Sequence, residues 1–195
     1  MSKRLLLLPC LLLLSALCLA ACGSSGDDEG KVEEAIEAAA TTTDPADCAK
    51  FQTQKFMEQT SQESGSGALK TCEKEAKKEE NAESVEIANT EVDGSNATAE
   101  VTLSGGNSLE GQTLEVALVK NGDQWKLNEV VKFTKFDSAK LVESFEREIE
   151  KSGEASSKFA TCFIEAFKRA DQAEVEELLF HSSGKGFEEI AKECS

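Results

Sequence analysis

The chain has no tyrosine, one tryptophan, one histidine and two prolines in 195 residues. The first and third of these remove most of the side chains that move protons near neutral pH, which leaves carboxylates as the abundant acid–base groups. Basic residues are outnumbered, 21 to 37, for a formal net charge of −16. A body this acidic repels phosphate backbones, so nucleic acid is excluded as a partner, and its folded surface repels anionic lipid headgroups as well. There is no Gly-x-Ser-x-Gly, no Walker-type loop and no dinucleotide fingerprint, so no cofactor is expected. No internal repeat is present. The plain meaning of the charge is solubility; the sharper one is a cationic ligand or loosely held divalent ions.

What is present begins at the N-terminus. Lys3 and Arg4 precede Leu5 to Ala21, seventeen residues without a charge, ending Leu19-Ala20-Ala21-Cys22. A positive start, an apolar middle and small residues at a cut are the layout of a signal peptide. With Cys just after the cut, the stretch resembles the lipobox of bacterial lipoprotein precursors. The resemblance implies that residues 1–21 are a signal peptide and that the Cys22 thiol receives a diacylglyceryl group. The protein is then lipid-anchored in the cell membrane on its extracytoplasmic side, and two acyl chains hold where one barely does. An uncleaved membrane helix is the competing reading. It is disfavoured because the run is shorter than the roughly 20 residues of a span and is followed by Asp27, Asp28 and Glu29 rather than by positive charge.

Removal of residues 1–21 leaves 174 residues with 19 basic and 37 acidic side chains, a net charge of −18. Residues 22–30, Cys followed by Gly, Ser and acid, cannot build a core and are expected to form a flexible tether. Beyond Cys22 four cysteines remain: Cys48, Cys72, Cys162 and Cys194. An even set outside the cytoplasm points to two disulfides, for which three connectivities exist. Cys48–Cys72 and Cys162–Cys194 are favoured because each pair falls within one compositional half. A metal site is disfavoured, since there is no C-x-x-C spacing and the one histidine is His181.

From Lys31 the apolar spacing is helical. Val32, Ala35, Ile36 and Ala39 share a stripe of a first helix. Asp44-Pro45 starts a second, with Cys48, Phe51, Phe56 and Met57 on two sides. After a loop at 61–67, a third helix over about 68–79 carries Leu69, Cys72 and Ala76. The period then drops to two. Val85 and Ile87, then Ala97, Ala99, Val101 and Leu103, then Leu114, Val116 and Leu118, then Trp125, Leu127, Val131 and Phe133 are the inward residues of four strands. Hairpin turns are expected at Asp93-Gly94 and Asn121-Gly122. The fold class is therefore α+β: three N-terminal helices packed on a curved four-stranded antiparallel meander.

Three helices and a meander ending Lys120-Asn121-Gly122-Asp123-Gln124-Trp125-Lys126-Leu127 resemble the nuclear transport factor 2-like superfamily. The likeness spans Lys31 to Lys132. It implies a cone whose sheet and helices enclose a pocket, an enzyme site in some members and a protein-binding site in others. Phe56 and Trp125 are candidates to line that pocket. Residues 31–134 would be the cone-like domain and 135–195 a small all-α C-terminal appendage. In the appendage, Asp137 can cap a helix bearing Leu141, Val142, Phe145 and Ile149. Phe159, Cys162, Phe163, Ala166, Phe167 and Ala170 form the next stripe. Asp171 with Glu174 is a capping box, and Phe187 to Cys194 make a last short helix.

Catalytic candidates are few. Enzymes of the cone family usually place His, Asp or Tyr in the pocket, whereas His181 lies outside the cone. Asp44 and Asp47 sit at a helix start, where capping explains them. No inward strand position carries a carboxylate, so no catalytic residue is assigned. The expectation is a non-catalytic envelope lipoprotein that binds a protein partner or a small apolar or cationic ligand. A carboxylate-dependent enzyme and a structural envelope-assembly subunit are the alternatives.

Overall fold

The computed structural model describes residues 25–77, 81–105, 107–152, 158–181, 189–190 and 192–194. The expected signal peptide and the expected lipidation site, Cys22, lie outside the described residues. The fold is α+β, with a four-stranded antiparallel sheet and seven α-helices among the described residues. No helix among them is long and apolar enough to cross a membrane.

Helix α1 (Ser25–Thr41) starts inside the stretch expected to be a tether. Gly26 and Gly30 oppose a helix there, but tertiary contacts override them. Lys120 Nζ lies 2.7 and 3.0 Å from the Asp28 carboxylate oxygens, and Trp125 Nε1 donates to Oδ1 at 3.4 Å. Lys31 pairs with Asp27 one turn away at 2.7 Å. The two aspartates also sit in the first turn, where the helix dipole favours negative charge. The predicted stripe is in place, with Val32, Ala35 and Ile36 buried.

The expected second helix is two. Helix α2 (Ala46–Phe51) and helix α3 (Gln54–Ser61) are separated by an extended Gln52-Thr53. Gln52 forms a parallel bridge with Leu127, and the Thr53 N–H donates to the Leu127 carbonyl at 2.9 Å. Thr53 then caps α3 by accepting from the Phe56 N–H. The break lets the chain hydrogen-bond to a sheet edge, which an unbroken helix could not. Asp44 still marks the start of α2, accepting from the Ala46 N–H at 2.9 Å. Helix α4 (Ser66–Ala76) begins two residues before the expected third helix. Glu58 ties the loop before it, accepting from Gln54 Nε2 at 2.9 Å and the Gly65 N–H at 2.8 Å. Gly65 has φ +59°, a conformation that favours glycine.

The sheet order is β1-β2-β3-β4, with β1 Ser84–Asp93, β2 Asn96–Ser104, β3 Thr113–Asn121 and β4 Gln124–Lys135. Both expected hairpins form, with the turns one residue on, at Gly94-Ser95 and Gly122-Asp123, and the glycine of each expected pair takes the positive φ. One face of β2 to β4 is buried through Ala97, Ala99, Val101, Leu114, Val116, Leu118, Trp125, Leu127 and Phe133. Along β4 the alternation slips twice, from Leu127 to Val130 and from Val130 to Phe133, so Val130 is buried in place of the expected Val131. The register shifts between Glu115 and Val116 and again between Ala117 and Leu118, so Leu118 pairs with Leu127, Val116 with Val130 and Leu114 with Phe133. Each extra residue bends the strand and resets which side chain points in.

The outer edge of β4 is covered by side chains. Gln59 accepts from the Val130 N–H at 2.7 Å and donates to its carbonyl at 2.8 Å. Glu176 accepts from the Phe133 N–H at 2.7 Å, and Gln172 donates to the Phe133 carbonyl at 2.9 Å. These bonds satisfy edge groups that would otherwise invite another strand.

After β4 come α5 (Ser138–Ser152), α6 (Lys158–Arg169), α7 (Gln172–Glu176) and a π-helical turn at Glu177–His181. Gln112, wholly buried, donates to the Asp137 carbonyl at 2.9 Å and accepts from its N–H at 2.8 Å, which pins the entry of β3 to the start of α5. The Asp171–Glu174 capping box is present in both directions, each bond 2.9 Å. Leu141, Val142, Ile164, Phe167, Val175 and Phe180 belong to the same apolar cluster as the sheet. On α6 the buried line is Ala160, Ile164 and Phe167, rotated from the expected stripe, and Phe159 stays 42% exposed. Of the last expected helix, Phe187 lies outside the described residues, while Glu189, Ile190, Lys192 and Glu193 are helical.

Two disulfides are present, Cys48–Cys72 and Cys162–Cys194, with Cα–Cα distances of 6.1 and 5.5 Å. The first joins α2 to α4 within a small cluster of Cys48, Met57, Ala68 and Ala76.

Candidate ligand cavity

The helices before the sheet do not fill the space beneath it. A cavity of about 250 Å³ remains between the buried face and helices α1 to α4. Its sheet wall includes Val116, Leu127 and Val130. Leu127 and Val130 both face it because of the register shift between them. Ile36 and Ala39 close it from α1, and Phe56 from α3. The Cys48–Cys72 bridge and Gln52 make another part of the wall. Near the rim, the Asn81 side chain donates to the Thr42 carbonyl, tying the chain before β1 to the end of α1.

The lining is mostly apolar, with hydroxyls and amides at intervals and one titratable side chain, Glu75. Glu75 is itself engaged by another residue. Such a surface suits an uncharged apolar molecule with few polar atoms. A second carboxylate converging on Glu75, which proton relay between two acids would need, is not part of the lining. Among the described residues no group of three His, Cys, Asp or Glu could hold a metal ion.

Gln52 is 9% exposed, and what surface it keeps opens on this cavity. Its Oε1 lies 3.5 Å from Cys72 Sγ, but a disulfide sulfur carries no hydrogen, so that contact is not a hydrogen bond. The amide Nε2 has no hydrogen-bond partner among the described residues. Its backbone is held by the bond from its own N–H to the Cys48 carbonyl, 3.0 Å, and by the bridge to Leu127. The side chain is thus carried on a fixed stem.

Of the residues singled out from the sequence, Phe56 lines the cavity and Trp125 does not. Trp125 is 1% exposed and sits in the core, its Nε1 on Asp28 and the Lys120 ammonium 5.5 Å from its ring. Cys162 and Cys194 pair away from the cavity. His181 is exposed at the end of the π-helical turn, beside Phe180. Asp47 accepts from the Thr42 hydroxyl at 2.7 Å and Asp44 accepts from the Ala46 N–H just ahead of α2. Gln52 escaped notice because it lies in a run that reads as continuous helix; nothing local marks it as a break.

Near Trp125, the Lys120 hydrogen bond holds the Asp28 carboxyl below the usual carboxylate range, opposed by burial and aided by the Trp125 N–H. A lowered folded-state pKa means a contribution present above the unfolded value, near pH 4, and lost as pH falls through the lowered one. Asp28→Asn is therefore expected to be less stable than the parent near neutral pH and to converge on it in acid. Urea midpoints at the two pH values check this, and a gap that does not narrow refutes it.

Comparison with known proteins finds no family model that matches this chain, and no curated protein or solved structure that does.

Proposed function

We propose that this protein is a membrane-anchored extracytoplasmic lipoprotein whose body is a non-catalytic binding module, holding a small, mostly apolar ligand between its N-terminal helices and its sheet. The observation that carries this reading is the cavity of about 250 Å³ with its apolar walls and single carboxylate. Interiors of domains this size are normally close-packed, so an apolar recess of this volume left between helices and sheet is a site that a ligand can fill. The arrangement of helices over a curved meander supports a nuclear transport factor 2-like cone with a helical C-terminal appendage packed on it. The lipobox at Leu19 to Cys22 supports the anchor.

Two experiments test the proposal. Cys22→Ser should abolish labelling by radioactive palmitate and leave unprocessed precursor in the membrane fraction; normal maturation of that variant would defeat the lipid assignment. Native mass spectrometry of the processed protein should show a retained small molecule that Ala39→Phe, which puts a ring into the cavity, displaces. An identical ligand content in parent and variant would move the function away from the cavity.

A further inference from the structure

We propose that the molecule taken by the cavity is small, uncharged and mostly apolar, and that it carries one hydrogen-bond acceptor, a carbonyl or ester oxygen, which the Gln52 amide holds. This rests on the cavity being a binding site and goes further by naming the ligand class and the residue that selects it.

Volume limits the ligand first. At about 30 Å³ per water the cavity equals roughly eight waters, the small end of ligand pockets. That is room for a medium-length acyl chain or a single ring inside the cavity. Charge limits it next. Glu75 is the one titratable side chain in the lining and already has a partner. An anion would meet it unfavourably, and a cation would have to compete for it in a largely apolar site where losing water is costly.

The polar contact follows from Gln52. The Gln52 amide lies in the cavity wall and its nitrogen makes no hydrogen bond among the described residues, so its hydrogens are open to an acceptor that enters the cavity. Water can take this place while the cavity is empty; a ligand that displaces it must replace the hydrogen bond and also cover apolar neighbours in the wall such as Leu127 and Phe56. An acyl carbonyl with its hydrocarbon tail against those side chains satisfies the amide and the walls together. The stem of Gln52 is fixed by its bridge to Leu127, so the donor is presented without a large ordering cost on binding.

The test uses the full chain in lipid nanodiscs, with methyl-labelled Leu127 and Val116 reporting on the cavity by NMR. Three probes are titrated: methyl octanoate, octane and octanoate. Partition into the lipid is common to all variants and cancels in the comparison. The ester is expected to bind the parent about fivefold more tightly than it binds Gln52→Leu, the loss of one hydrogen bond. Octane should bind Gln52→Leu at least as well as the parent, and octanoate should not shift the reporters. Gln52→Met repeats the comparison should the leucine variant fold poorly. Equal binding of ester and octane, unchanged by Gln52→Leu, would overturn the acceptor contact while leaving an apolar cavity site. Tightest binding by octanoate would overturn the uncharged class. Silence from all three probes would overturn the cavity reading itself.

Discussion

Replacing Trp125 by Ala is expected to lower the unfolding free energy by about 3–5 kcal/mol, the range for deleting a buried aromatic. That is a large share of the roughly 5–15 kcal/mol by which a domain is stable. The ring is 1% exposed and belongs to the apolar cluster that joins α1, the sheet and the C-terminal helices. It also organises charge: Asp28 accepts from both Lys120 and the indole N–H, and Lys120 lies over the ring. Truncation therefore leaves a void and loosens the contact that holds the first turn of α1. Trp125→Phe keeps most of the ring burial and loses the N–H, so its cost should be about 1–2 kcal/mol. Because Trp125 is the only tryptophan, unfolding must be followed by far-ultraviolet circular dichroism rather than by fluorescence. A loss below about 1 kcal/mol in the alanine variant would mean that the hairpin and α1 hold together without it.

Removal of the Cys48–Cys72 bridge by paired alanine substitution should cost roughly 3–4 kcal/mol in the chain-entropy account of a loop with 24 residues of separation. A second effect sets this bridge apart from Cys162–Cys194. It is part of the cavity wall, and Cys48 is 1% exposed in the small cluster under α2, α3 and α4. Deleting both sulfurs should enlarge the cavity and free α4 to move away from α2. The Cys162–Cys194 pair, replaced in the same way, should cost a similar amount of stability and leave the cavity unchanged. Chemical unfolding of the two double variants, with ligand retention measured on each, separates these outcomes. Equal loss of ligand in both would show that the first bridge acts through global stability alone.

Much of this architecture was legible because it depends on short-range rules. Period-two alternation from Ala97 to Leu127 needs only that one face be buried, and Asp93-Gly94 and Asn121-Gly122 need only a backbone with positive φ in a tight turn. The Asp171–Glu174 box closes within four residues. Where the reading failed, a distant partner decided the matter. A segment of Gly, Ser and Asp became the first turn of α1 because Lys120 and Trp125, more than ninety residues away, engage Asp28. A helix that nothing local interrupts was broken at Gln52-Thr53 because Leu127 offered an open sheet edge.

The sequence by itself determined the α+β class and most of the strand faces, and it favoured without fixing the disulfide pairing, together with the expectation of a lipid anchor at Cys22. Each is encoded by residue type at fixed spacing, or by a composition that splits the cysteines into two halves. Only the tertiary structure decided that Val130 rather than Val131 points inward, that Trp125 is a clamp while Phe56 lines the cavity, and that the Gln52 amide nitrogen lies in its wall without a hydrogen bond among the described residues. The reason is that a cavity is the space that packing leaves over. It is set by strand bulges, helix breaks and the closing of elements far apart in the chain, none of which a local pattern contains.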